Sequence, residues 1–339
     1  MKTLFSFACI ALFFVSCGNT KKLKVGEINS LQFEYSPGAE INYGGIIEAR
    51  IKAIMHNGEE LDITNHRKLD FSSEGVNKSG KTFKITHHPL SFDENYVTIS
   101  MTVSDKEETF EARDTIYMNF LGGLLISAPG DYGEDGEDQK DRGDRILLRD
   151  GKEGYVGANG QPGFAGGNYE AYIWKEGDLY YVYARELNTL QVWRYKTYAT
   201  RLVSFDISGG QGGDGGDGGG GGDGKDGSKD EDGKIKRPGA GGNGGNGGHG
   251  ANGGNGGNLH LIIHPNASDI SSQLKYDVSG GPGGEGGKGG KGGNPGEAIS
   301  GQAGGSKGAN GRQGGAGNWG LNGSTNVEFK EFDSIPLKQ

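Results

Sequence analysis

Glycine returns every third residue in this chain, without losing phase, in paired runs separated by ordinary β-like sequence. One run is Gly209, Gly212, Gly215, Gly218, Gly221, Gly224 and Gly227; the next is Gly241, Gly244, Gly247, Gly250, Gly253 and Gly256. Period three is the period of polyproline II, an extended helix with no internal hydrogen bonds. Its backbone N–H and C=O groups must therefore find partners in water or in neighbouring segments. Two glycines per triplet strip two of the three faces, so that backbones can approach for N–H···O and Cα–H···O contacts. The remaining position is expected to point outward and stay soluble. It holds Gln211, Asp214, Asp217, Asp223 and Asp226 on one run, and Asn243, Asn246, His249, Asn252 and Asn255 on the next. Glu285, Lys288 and Lys291 occupy it on a later run.

The runs form three excursions, at about 128–168, 209–258 and 280–323, each leaving a β-like segment and returning to another. The second goes out from Leu202–Ser208, turns near Lys229–Pro238 and comes back to Leu259–His264. The third leaves Leu274–Ser279 and reaches Asn326–Phe332. The first is degenerate: Leu124–Ser127 leads to Gly130, Gly133 and Gly136. An acidic turn then intervenes, before Gly151 to Gly166 lead back to Tyr169–Trp174. At about 3.1 Å per residue the long runs span roughly 50–60 Å, so neighbours can lie side by side. Six rods in three hairpins follow.

Of the 69 glycines, 47 lie between Gly209 and Gly323, which marks a distinct region that cannot rely on a conventional apolar core. Collagen would need one continuous repeat and abundant proline, whereas there are only 9 prolines and the runs fold back. Disorder competes because glycine carries the largest folding entropy cost. Strict phase, matched lengths and flanking strands oppose it. Runs such as Gly241-Gly242-Asn243-Gly244-Gly245-Asn246 resemble those of the snow flea antifreeze protein and of the tip adhesins of some phage long tail fibres. The resemblance covers about 130–323 and implies a bundle of antiparallel polyproline II helices; it carries fold rather than function.

The N-terminus has the form of a targeting segment, residues 1–16. Met1-Lys2 precedes an apolar stretch, Leu4–Val15, too short to span a membrane as a stable helix. Phe14-Val15-Ser16-Cys17 stands where a bacterial lipoprotein has its lipobox, with Phe14 in place of the preferred aliphatic residue. The chain thus resembles a bacterial lipoprotein of the Bacteroidota type, which implies lipidation at Cys17, a tether over 17–26 and an outer-membrane location. Which membrane face it occupies stays open. Cys9 would leave with the signal, so the mature chain has a single thiol and no internal disulfide. A net charge of -9 argues against nucleic acid as a partner.

Residues 27–120 alternate as short strands, for example Ile47, Ala49, Ile51 and Ala53 against Glu48, Arg50 and Lys52. Turn signals separate them, and the region resembles the Ig-like sandwich modules of bacterial envelope proteins. The expected fold class is all-β. An Ig-like β-sandwich is followed, over 121–339, by an antiparallel polyproline II bundle braced by β-hairpins. No helix is expected beyond the signal.

The aromatic block Trp174, Tyr180, Tyr181, Tyr183, Trp193 and Tyr195 is the first binding candidate, through stacking on sugars or a protein partner; core packing is the competing reading. The ridge residues Asp214, Asp217, Asn243, Asn246, Lys288 and Lys291 are the second. Asp135, Asp138 and Asp141, in an acidic stretch that ends at Asp144, offer oxygen ligands for calcium but lack EF-hand spacing; a solvated turn competes. His87-His88, His260 and His264 are read as structural or surface histidines. No nucleophile motif, metal-ligand cluster or dinucleotide fingerprint occurs, so no catalysis and no cofactor are expected. The expectation is a lipid-anchored envelope protein presenting its bundle to a surface polymer, a glycan or an outer-membrane protein. A purely structural spacer is the runner-up, and a hydrolase or an ice-binding protein are remote alternatives.

Overall fold

The computed structural model describes residues 23–86, 89–143, 149–198 and 200–338. The signal segment, Cys17, His87, His88 and Asp144 lie outside the described residues. The fold is all-β.

Eight strands fill the N-terminal part: β1 (Ile28–Tyr35), β2 (Ile46–Met55), β3 (Glu60–Asp62), β4 (Leu69–Ser72), β5 (Val76–Ser79), β6 (Thr82–Ile85), β7 (Tyr96–Ser104) and β8 (Thr109–Tyr117). One sheet runs β1-β2-β6-β5, with β3 on β2; a second runs β4-β7-β8. The period-two pattern decides which side chains face inward. β2 buries Ile47, Ala49, Ile51, Ala53 and Met55, and β7 buries Val97, Ile99, Met101 and Val103. Phe71 of β4 meets Phe83 of β6 edge-on at 5.3 Å, so the two sheets share one apolar core. That core begins before the expected boundary. Leu23 and Val25, assigned to a tether by sequence, are buried in it because their apolar side chains reach the sheet interior.

The remaining strands are each collinear with a glycine run. β9 (Leu124–Ser127), β13 (Val203–Asp206) and β17 (Leu274–Asp277) pair in parallel, in the order β17-β13-β9. They lead into rods 1, 3 and 5, residues 130–142, 207–227 and 279–297. Rods 2, 4 and 6, residues 149–168, 239–258 and 305–324, lead back. They enter β10 (Tyr169–Glu176), β16 (Leu259–Ile263) and β18 (Thr325–Phe329), which are again parallel neighbours. β11 (Leu179–Glu186) and β12 (Val192–Tyr198) extend that second sheet to β12-β11-β10-β16-β18. The bracing is therefore by two parallel sheets, and β10-β11-β12 supplies the antiparallel hairpins. The reason is directional: every outgoing rod leaves the same way, so the strands that feed outgoing rods must be parallel.

The two sheets face each other across a core of Leu124, Ile126, Val203, Phe205, Tyr169, Ile173, Leu259, Leu261 and Ile263, contiguous with the N-terminal core. Short elements complete the chain: a two-strand tip, β14 (Ser228–Lys229) with β15 (Ile235–Lys236), and two 3-10 turns, Val25–Glu27 and Pro265–Gln273. A four-residue helix, Ile335–Lys338, follows β18. These turns and this helix depart from the expectation of none. Pro265 opens the longer turn, and the His264 side chain caps it by accepting the Asn266 N–H.

Candidate functional site

Outgoing rods 1, 3 and 5 form one layer and returning rods 2, 4 and 6 the other, and the N–H groups of each triplet divide among three kinds of partner. Within a layer, parallel neighbours bond in constant register. Rod 1 donates to rod 3 from Gly130, Gly133, Gly136, Gln139 and Arg142 to the carbonyls of Ser208, Gln211, Asp214, Asp217 and Gly220, at 2.7–2.9 Å. Rod 3 does the same to rod 5, rod 2 to rod 4 and rod 4 to rod 6. Between layers the pairing is antiparallel: Gly213 donates to Gln161, Gly216 to Ala158 and Gly219 to Tyr155.

Where the neighbouring rod carries a short acceptor, the third N–H is met by a side chain. Asp214, Asp217 and Gly220 donate their N–H to Oδ1 of Asp135, Asp138 and Asp141, at 2.6–2.8 Å. Asp214 and Asp217 in turn accept the N–H of Glu285 and Lys288 on their own Oδ1, both at 2.7 Å. The other layer repeats the device. Asn243, Asn246, Asn252, Asn255 and Asn258 accept from Ala309, Arg312, Asn318, Leu321 and Ser324, and Nδ1 of His249 accepts from Gly315. A short side chain with an acceptor two bonds beyond Cβ spans the gap between parallel rods, as Asp and Asn do in local turns.

Asp214, Asp217, Asn243 and Asn246 therefore do more than form a ridge: Asn243 and Asn246 are exposed and the two aspartates half-buried, and each side chain lies along the layer surface and accepts a backbone N–H of the next rod. Lys288 and Lys291 sit on rod 5, which has no further neighbour in its layer, and remain exposed. The same bonding corrects the acidic turn. Asp135, Asp138 and Asp141 carry rod 1 through and beyond Gly136, and Oδ1 of each accepts a backbone N–H. Among the described residues no group of three or more His, Cys, Asp or Glu is arranged to hold a metal ion.

Glycine is required only where a rod is packed. On interior rod 3 a Cβ at Gly215 would fall on the carbonyl of Gly248, and one at Gly216 on that of Glu137. Edge rods keep side chains in one of these places: Asp131, Glu134 and Glu137 on rod 1; Tyr155 and Phe164 on rod 2; Gln313 and Trp319 on rod 6, all exposed. At the open edge between rods 1 and 2 the Arg142 guanidinium lies 3.5 Å from the Tyr155 ring centroid.

The aromatic block is placed elsewhere. Trp174, Tyr180, Trp193 and Tyr195 are buried, and Tyr181 and Tyr183 are half-buried. Trp174 and Tyr181 stack at 5.4 Å and both meet Phe92 of the N-terminal part; Tyr195 meets Tyr43 at 5.9 Å. Thr197 donates its hydroxyl to the Gly122 carbonyl and Asn42 donates its amide to the same atom. The block thus joins the two parts of the molecule and leaves no open ring face on its four buried members. Burial pushes the Tyr195 hydroxyl well above the usual phenol range and the Lys196 amine downward. Tyr172 is pushed up to about 12, by burial first and by its bond to Glu170 second.

The rod aromatics that meet solvent, Tyr132, Tyr155, Phe164 and Trp319, lie outside the block singled out by sequence. Tyr132 is 77% exposed and Trp319 72%. The signal that marks them is the break in the triplet rule: each is a large ring in a run built mainly of small or polar residues. Comparison with protein-family models, curated proteins and solved structures finds no match.

Proposed function

We propose that this chain is a non-enzymatic, lipid-anchored protein of the bacterial outer membrane that displays a rigid rod bundle to a surface polymer or an outer-membrane protein. In this reading the six rods are polyproline II helices, and the N-terminal sheets form an Ig-like sandwich standing between the lipid on Cys17 and the bundle. The observation that carries it is the lattice of bonds within the bundle. The glycine amides of rods 3 and 4 and Oδ1 of Asp135, Asp138, Asp214, Asp217, Asn243 and Asn246 hold the rods together, and what remains outward is two flat faces and their rims. One face is acidic, with Asp135, Asp138, Asp214 and Asp217. The other carries amides, methyls and Asn ladders. A surface of that kind suits presentation and contact rather than bond-making chemistry.

Lipidation rests on the resemblance of Phe14-Val15-Ser16-Cys17 to a lipobox and on the lone thiol of the mature chain. Two or three acyl chains would hold it far more firmly than one. The test is metabolic labelling with a palmitate analogue, fractionation, and crosslinking on intact cells. Label on the wild type but not on Cys17→Ser, with outer-membrane recovery and a crosslinked envelope partner, supports the reading. Unlabelled soluble wild-type protein would refute the anchor. The spacer alternative predicts that substitutions on the faces and rims leave every phenotype intact, while shortened rods do not.

A further inference from the structure

A trough of about 490 Å³ crosses the outgoing layer where the three strands become rods. Its floor is three parallel chain segments, Pro129–Gly130, Ser208–Gly209 and Ser279–Gly281. Tyr132 stands on its wall from rod 1, and Trp319 from rod 6. Both rings are more than two-thirds exposed, on a bundle whose interior rods carry no Phe, Tyr or Trp. Asp131, Asp206, Asp277 and Gln211 line the same trough, and no Lys or Arg does.

The polar groups are built in rather than loose. Asp206 and Asp277 are register partners in adjacent strands. Each accepts the hydroxyl and the N–H of the serine two residues on, Ser208 at 2.8 and 3.3 Å and Ser279 at 2.6 and 2.9 Å. Those bonds engage Oδ1 alone on each carboxylate. The trough therefore presents flat aromatic faces, a floor of glycine and small side chains, and a row of hydrogen-bond acceptors without a cation.

We infer that this trough binds a saccharide chain that is neutral or amine-bearing. A pyranose has an apolar C–H face that covers an aromatic ring and a rim of hydroxyls that donate to carboxylates. The volume lies in the range of small-ligand sites. Three carboxylates without a basic partner repel an anionic glycan. The inference rests on the binding reading above and names the ligand class and the residues: Tyr132 and Trp319 stack, while Asp206, Asp277 and Gln211 accept hydroxyl protons.

The test uses a property of this chain. Of its three tryptophans, Trp174 and Trp193 are buried and Trp319 alone is open, so acrylamide quenching of tryptophan fluorescence reads the trough. The probes are a soluble β-glucan, a mannan and a chito-oligosaccharide, with polygalacturonate as the anionic comparison, on the full mature chain. At least one neutral or amine-bearing probe should shield Trp319 while polygalacturonate does not. By affinity electrophoresis Tyr132→Ala and Trp319→Ala should each weaken that binding about three- to tenfold, the worth of one aromatic contact, with melting unchanged. Failure of every probe to shield Trp319, equal shielding by polygalacturonate, or undiminished binding by Trp319→Ala overturns the inference. A protein partner lost from Trp319→Ala without any glycan shielding also overturns it, in favour of a peptide site. Envelope polymer captured equally by wild type and Trp319→Ala refutes the trough and leaves the binding reading standing. A wild type that captures neither polymer nor outer-membrane protein refutes both.

Discussion

Replacing Gly215 by alanine should be among the most damaging single-methyl changes available to this chain. The added Cβ would lie 2.5 Å from the carbonyl carbon of Gly248 and 2.8 Å from that of His249, besides falling on the Gly248 oxygen. Ordinary carbon–carbon contact is about 3.5 Å, so rods 3 and 4 must part by about 1 Å locally. They cannot part freely, because each is the middle rod of its layer. The bonds between them nearest the insertion, Gly248 N–H to the Gly216 carbonyl and Ala251 N–H to the Gly213 carbonyl, are both 2.9 Å; stretched by that amount they leave hydrogen-bonding range. Two bonds at about 1 kcal/mol each, with overpacking of about 1–3 kcal/mol, give a loss of about 3–5 kcal/mol. The chain itself provides a calibration. Ala251 occupies the slot between Gly248 and Gly254, whose added methyls would face rod 2. The rod 2 to rod 4 bonds run 2.7–2.8 Å from Gly151 to Gly157 and 3.0 Å at Gly160 and Gly163, beside Ala251. A methyl is absorbed there because edge rod 2 can yield. Urea denaturation with Gly304→Ala as control, where nothing lies within 4 Å of the added atom, measures the difference. The control should stay within about 0.5 kcal/mol of wild type. A loss below about 1 kcal/mol for Gly215→Ala would refute the packing argument.

Asp217→Ala should cost about 1 kcal/mol by leaving the Lys288 N–H without its acceptor, whereas Asp217→Asn, which keeps an Oδ1, should cost little; equal losses in denaturation would contradict the ladder. Glu186 is held below the ordinary carboxylate range. Burial raises it, but bonds from Thr189, Asn168 and Asn188 outweigh that. Its contribution is therefore present above the ordinary glutamate value and is lost as pH falls through the lowered one. Melting followed from pH 6 to pH 3 should show a shallower acid limb for Glu186→Gln. Removing the joint between the two parts by Phe92→Ala should cost about 3–5 kcal/mol, since its ring packs on Trp174 and Tyr181 and is buried; near-wild-type melting would show that the aromatic block is not the joint.

The period of the glycines and the strands at the ends of the runs were legible because both are local regularities. The partner of the third residue was not. Asp135 and Asp214 are 79 residues apart, and an outward position on an isolated extended segment gives no hint that the next parallel segment offers an N–H there. With the fold in hand the composition explains itself. Asp and Asn dominate the third position on rods 3 and 4, each with a neighbour to satisfy, and give way to Lys, Glu, Ala, Arg and Leu on rods 5 and 6. The aromatic strands β10 to β12 alternate as any half-exposed hairpin does, and only the second layer of contacts, from Phe92 and Tyr43, buries them. Tyr132 and Trp319 stand alone in sequence, and topology brings rods 1 and 6 to the two walls of one trough.

Hydrogen–deuterium exchange of the glycine amides tests the central claim most directly. The account predicts strong protection of the glycines across 209–227 and 241–257, whose amides donate to protein acceptors. Exchange should be immediate at Glu231 and Asp232 of the tip, between the bonded amides of Asp230 and Gly233, and in the open segment near Gly304. Exchange at the unstructured rate throughout the glycine runs would contradict it.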